Sequence, residues 1–232
     1  MEKNKQMSPA LKKMKRLIFS YNSVLIFLLL LIIGSFFVNK FTRNYSTIIF
    51  ESSIYGFIAV GLSLVMVTGN IDLSVGFQAA TAAVVVVLTC NATGSLLASV
   101  ISAVVCGALM GVINGTAVIG FGINPLIATI ASNYIYKGVV YFFTKDGSIY
   151  PEGELRAALK NSIAKLSFFN SKVLTLTVII FVVALSLLYF IMRKTNFGNN
   201  LYITGDNAEA GKLAGIKVKR VSFIAYVLCG IF

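Results

Sequence analysis

The sequence contains no histidine, which removes the commonest general base at neutral pH and the commonest metal ligand. Its cysteines, Cys90, Cys106 and Cys229, stand alone in apolar stretches. An odd count with no CxxC pair supports neither a disulfide framework nor a zinc site; small buried hydrophobes is the plain reading. No GxxxxGK[ST] phosphate loop occurs, so the chain is not expected to bind ATP that way. Charge is scarce, at 12 % of residues, where a soluble domain carries about 25 %. No catalytic residue, metal site or cofactor of the chain's own is expected.

What the chain has instead is oil. Hydrophobic residues make up 57 % of it, and the mean hydropathy is +0.87. Such a surplus has no soluble surface to hide behind, so lipid must be the solvent. The net charge of +12 does not point to nucleic acid. The basic residues lie in short segments between apolar runs, which is how membrane topology signals are distributed.

The first apolar run, Leu17–Val38, follows a basic stretch over residues 1–16. At about 1.5 Å per residue it is long enough to span a hydrocarbon core of about 30 Å. It lacks the short apolar core and small-residue cleavage site of a signal peptide. Further spans are predicted at Ile48–Val67, Val75–Cys90, Leu96–Ile119, Ile123–Phe143 and Val173–Ile191. A seventh starts at Val221 and reaches only Phe232, so a fragment or a truncated reading frame is expected. The expectation is an all-α, polytopic bundle of six complete spans and the start of a seventh. It divides into a basic N-terminus, 1–16, and a transmembrane domain, 17–232, with an external loop over 144–172 and a cytoplasmic loop over 193–220. Six basic residues in 1–16 and six in 193–220 outnumber the seven in the opposite loops. The excess of Lys and Arg marks the cytoplasmic side, so the N-terminus is placed inside the cell.

Four features interrupt or pattern the oil. Ser95, Ser99, Ala103, Gly107, Gly111 and Gly115 recur every fourth residue, a row that lets a second helix approach backbone to backbone. The segment from Thr68 to Gly76 holds Asn70, Asp72 and Ser74. Asp72 is suited to cap the next helix, where its charge meets the positive helix end. A polar break at membrane depth is tolerated only beside protein or a water-filled path; a tight cytoplasmic turn is the equal alternative. Asn124 and Pro125 make a second break, with Pro125 placed to open a helix, and Asn114 lies just before it. These amides are placed to bond a polyhydroxylated solute or one another. Tyr134 and Tyr136 suit stacking on a sugar ring, whereas Tyr141, Phe142 and Phe143 read as an interfacial belt. In the loop after the sixth span, Asp206 and Glu209 have capping-box spacing. They predict a short helix over Ala208–Ala214, with Gly215 placed to stop it. So short a helix is marginal alone in water, and a docking surface is expected for it. Glu51 and Asp72 are a thin set of ionisable groups for an ion-coupled transporter, which stays open as an alternative.

Taken in order, Thr68-Gly-Asn-Ile-Asp-Leu-Ser-Val-Gly76, Gly111-Val-Ile-Asn-Gly115, Ile123-Asn-Pro-Leu-Ile127 and Gly205-Asp-Asn-Ala-Glu-Ala210 with Gly215-Ile-Lys-Val-Lys-Arg220 resemble a known pattern. The chain is similar, from about Ile48 to Phe232, to the ribose/galactoside-type permease subunits of bacterial ABC importers, a group related to the branched-chain amino-acid permeases. The resemblance implies a plasma-membrane permease that pairs with a second permease subunit, identical or not. It implies a cytoplasmic ATPase that binds the ATP and an extracytoplasmic sugar-binding protein. Gly205, Asp206, Asn207, Ala208, Glu209, Ala210 and Gly215 would form the loop that docks on the ATPase. Asn70, Asp72, Ser74, Asn114, Asn124 and Pro125 are the candidate translocation path. Pentoses and hexoses are the favoured cargo; branched-chain amino acids, nucleosides or a signalling sugar are the sister readings. Lys137-Gly138 stands where relatives often have Arg-Gly, and the later helices typical of the family are absent.

Overall fold

The computed structural model describes residues 22–37, 41–145, 147–152 and 176–232. Every regular element among them is helical: α1 (Asn22–Phe37), α2 (Phe41–Val67), α3 (Val75–Thr93), α4 (Leu96–Gly115), α5 (Pro125–Thr144), α6 (Leu176–Lys194), α7 (Asn196–Asp206), α8 (Ala208–Leu213) and α9 (Val218–Ile231). Helix is the structure that satisfies every backbone group within the segment, which lipid demands. Two compact units divide within α2, after Ile48. The first contributes α1, an apolar helix shorter than a span where described. Residues 1–21 and Val38, and so the beginning of the first predicted span, lie outside the described residues.

Among the described residues, five stretches are long and apolar enough to cross a membrane: Thr47–Val67, Val75–Thr93, Leu96–Gly120, Pro125–Thr144 and Thr177–Lys194. They match predicted spans two to six with shifts of a few residues at their ends. The seventh predicted span corresponds to α9, which starts three residues earlier, at Val218. Helix α2 also begins earlier than the predicted span, at Phe41 instead of Ile48. Most of the external loop, residues 153–175, lies outside the described residues.

Local signals set the helix ends. Gly94 adopts φ 65° and closes α3, and the Ser95 hydroxyl then accepts from the Ala98 amide to open α4. Pro125 takes the first helical position of α5 behind an Asn124 cap, where its missing N–H costs nothing. Helix α4 does not run smoothly to Ile119: it widens into a π-helical turn over Thr116–Gly120. Such a turn is a recognised break in the regular ladder.

Helix α9 packs along α4, and α3 sits against α4 and α5. The α4–α9 contact is made by glycine. A Cβ on Gly107 would overlap the Gly230 carbonyl, and one on Gly230 would overlap that of Gly107. A Cβ on Gly111 would overlap the Tyr226 carbonyl, and Gly115 meets the Phe223 ring. Gly107, Gly111 and Gly115 from the predicted row therefore face α9. Ser95 has a different part, as the α4 cap, and Ser99 is buried with its hydroxyl donating to the Ser95 carbonyl. Many large apolar side chains of the spans are exposed, among them Leu97, Ile101, Leu109 and Ile127. On α6, only 6 % of the most apolar window is covered by protein.

Candidate functional site

The break between α2 and α3 is built around one buried carboxylate. Asp72 is 1 % exposed. Its Oδ1 accepts from the Ser74 backbone N–H at 2.9 Å and from the Ser74 hydroxyl at 2.6 Å. Its Oδ2 accepts from the Gln78 and Asn114 amides, each at 3.0 Å. The Ser74 side chain makes no cap of its own, so the carboxylate supplies the acceptor at the α3 N-terminus, where the positive helix end favours an anion. Asn114 arrives from α4 and also donates to the Ser74 hydroxyl at 2.8 Å. From α5, Tyr136 is buried and its hydroxyl reaches the Met110 carbonyl at 3.3 Å and Asn114 Oδ1 at 3.4 Å. From α9, the Tyr226 hydroxyl donates to the Ile71 carbonyl at 3.2 Å. Helices α3, α4 and α9 are thus hydrogen-bonded to one turn, and α5 is tied to it through Asn114.

The predicted path residues separate into two groups. Asp72, Ser74 and Asn114 come together and use one another as partners. Asn70 instead donates to the Thr68 hydroxyl at 2.9 Å. Asn124 accepts from the Leu126 amide at 2.9 Å and serves as a helix cap, and no bond joins it to Asn114. The sequence reading missed Gln78, although a carboxamide four residues after Ser74 in an apolar helix is a visible signal. The Gln78 Oε1 is buried with no hydrogen-bond partner among the described residues. Gln78 also borders a cavity of about 310 Å³ between α2, α3, α4 and α9. Tyr134, by contrast, lies on the surface, as do Phe142 and Phe143, and Lys137 sits over the Tyr141 ring at 5.4 Å.

The loop after α6 folds back onto this same end of the bundle. Its capping geometry corrects the sequence reading. Asp206 is the last residue of α7, not the cap of α8. Asn207 is the cap, its side chain accepting from the Ala210 amide at 3.0 Å. Asn207 has the extended backbone that a cap needs, at φ −154° and ψ 96°, whereas Asp206 is still helical. Glu209 does not reach back to the cap; it pairs with Lys212 at 3.1 Å on the exposed face. The helix ends at Leu213, and Gly215 turns the chain with φ 80°. Leu213 is 91 % exposed.

Gly205 ties α7 to the break: a Cβ there would overlap the Val67 carbonyl at the end of α2. A cavity of about 450 Å³ lies between the two, lined by Thr68, Asn70, Gly122, Thr204, Ala208 and Ser222 among others. The Thr204 hydroxyl is buried there without a partner among the described residues. The break, the π-turn of α4 and the α7–α8 elbow therefore meet at one end of the molecule.

Residues 44–232 match the family described as the branched-chain amino acid transport system permease component. The chain belongs to this family. Among relatives of this permease, the autoinducer 2 import system permease protein LsrC of Escherichia coli (strain SMS-3-5 / SECEC) is 33 % identical over 173 residues, covering 75 % of this chain and 48 % of its own. LsrC of Yersinia pestis (strain Pestoides F) is 32 % identical over 194 residues, covering 83 % and 53 %. The fructose import permease protein FruG of Bifidobacterium longum (strain NCC 2705) is 28 % identical over 216 residues, covering 88 % and 62 %. The permease chain thus spans about half the length of the first of these relatives. No solved structure matches it.

Proposed function

We propose that this chain belongs to the membrane-spanning subunit of an ATP-driven importer for a simple sugar. It shares the path with a second permease subunit, receives solute from an extracytoplasmic binding protein, and is driven by a separate cytoplasmic ATPase. The import of fructose and of autoinducer 2 named for its relatives supports a small hydroxylated cargo. The N-terminus and the α7–α8 elbow face the cytoplasm in this reading, on the side favoured by the basic residues.

The observation that carries the reading is the elbow itself. Helix α8 presents Leu213 almost fully to solvent, while its partner α7 is locked at Gly205 against the end of α2. In this reading the exposed Leu213 side chain is the apolar contact that α8 offers to the ATPase. A push on α8 is passed through α7 to the turn that holds Asp72, and from there to α3, α4 and α9. The closed network around Asp72 holds this turn together, and solute passes beside it.

The experiment is uptake of a panel of labelled pentoses and hexoses by cells expressing the full-length permease with its ATPase. Uptake of one of them is expected to stop on ATP depletion and to continue when proton and sodium gradients are collapsed at clamped ATP. The opposite dependence overturns the reading.

A further inference from the structure

The junction of α6 and α7 forms a basic, polar hollow at the foot of a bare apolar helix. Helix α6 ends in Arg193 and Lys194, and Val183, Leu187 and Phe190 above them are exposed at helical spacing. The chain then turns sharply. The Thr195 hydroxyl accepts from the Gly198 amide at 3.3 Å, and Gly198 lies so close to the Met192 carbonyl that a Cβ would overlap it. This tight elbow sets Asn199 and Tyr202 of α7 opposite the basic pair, around an open cavity of about 640 Å³. Among the described residues neither Arg193 nor Lys194 forms an ion pair; the single pair is Glu209–Lys212. The next acidic residue along the chain, Asp206, is at the far end of α7.

We propose that this hollow binds the headgroup of an anionic phospholipid. Arg193 and Lys194 hold the phosphate, with Arg193 suited to grip two of its oxygens. The Asn199 amide and the Tyr202 hydroxyl supply neutral hydrogen bonds at the height where such side chains meet headgroups. The acyl chains lie along the exposed face of α6. Three features together select a lipid over a soluble anion: unpaired positive charge, a polar hollow, and a lipid-facing helix that runs straight into it. The inference needs only that α6 spans the membrane, and it does not depend on what is transported.

The test is native mass spectrometry of the purified full chain released from detergent after incubation with phosphatidylglycerol or phosphatidylcholine. Phosphatidylglycerol is expected to be retained selectively, and R193Q/K194Q to reduce its retention by about fivefold for each basic side chain removed. K217Q/R220Q, which removes charge at the start of α9, is expected to leave retention unchanged. Glycerol phosphate, a headgroup without chains, is expected not to compete at equal concentration. Equal retention of the two lipids, competition by glycerol phosphate, or the same loss in both double variants overturns the proposal. Should R193Q/K194Q fold poorly, Asn199→Asp keeps both cations while placing a negative charge in the hollow. Undiminished phosphatidylglycerol retention in that variant also overturns it.

Discussion

Asn114 Nδ2 lies 3.0 Å from Asp72 Oδ2, joining the middle of the chain to a turn forty-two residues earlier. Both side chains are almost wholly buried, and no cation faces the carboxylate among the described residues. The carboxylate is held by donors alone, so each donor counts.

Replacing Asn114 with Leu therefore leaves Asp72 Oδ2 with the Gln78 amide alone. The expected cost is about 1–3 kcal/mol, the usual price of a stranded buried polar group. It is read as a lowered unfolding temperature in detergent. In a double-mutant cycle with Asp72→Asn, a coupling of at least about 0.5 kcal/mol is expected; strict additivity would contradict the geometry.

The α4–α9 crossing predicts a sharp contrast between glycines. Gly107→Ala and Gly230→Ala each drive a methyl group into a backbone carbonyl and are expected to destabilise by about 1–3 kcal/mol. Gly138 in α5 has open space at its Cβ position, so Gly138→Ala is expected to be neutral or to stabilise by up to about 1 kcal/mol, because alanine favours helix. Fluorescence-detected gel filtration after heating separates the three.

Asn207, and not Asp206, is the cap of α8. Asn207→Ala is expected to weaken this short helix by about 1 kcal/mol and to speed hydrogen exchange over 208–213. Asp206→Ala removes no capping bond and is expected to leave that exchange near its original rate. The reverse order would restore the capping box read from the sequence.

Much of the architecture was legible in the residues. The apolar runs gave five spans almost at their boundaries, since length and oiliness decide a membrane helix with little help from neighbours. The every-fourth row on α4 marked a packing face, yet the sequence named no partner for it; Gly230 shows its use only when α9 lies across it. The cap was misread because Asp206 and Asn207 are both good capping residues, and the choice depends on where α7 stops. That end lies beside the close approach of Gly205 to Val67, a contact between distant segments. Gln78 was passed over although its partners Asp72 and Ser74 lie only six and four residues away; what the sequence does not show is that Asn114 joins them from α4.

The central claim is that α8 is the surface through which a motor moves the bundle, and Leu213 tests it most directly. The measurement is solute-stimulated ATP hydrolysis in vesicles that hold the full-length permease together with the ATPase and binding protein proposed for it, comparing Leu213 with Leu213→Asp. Burying a leucine contributes about 1.5–3 kcal/mol, so the charged variant is expected to lose at least about tenfold in stimulated hydrolysis while its unfolding temperature in detergent stays unchanged. Full stimulation by Leu213→Asp would contradict the claim.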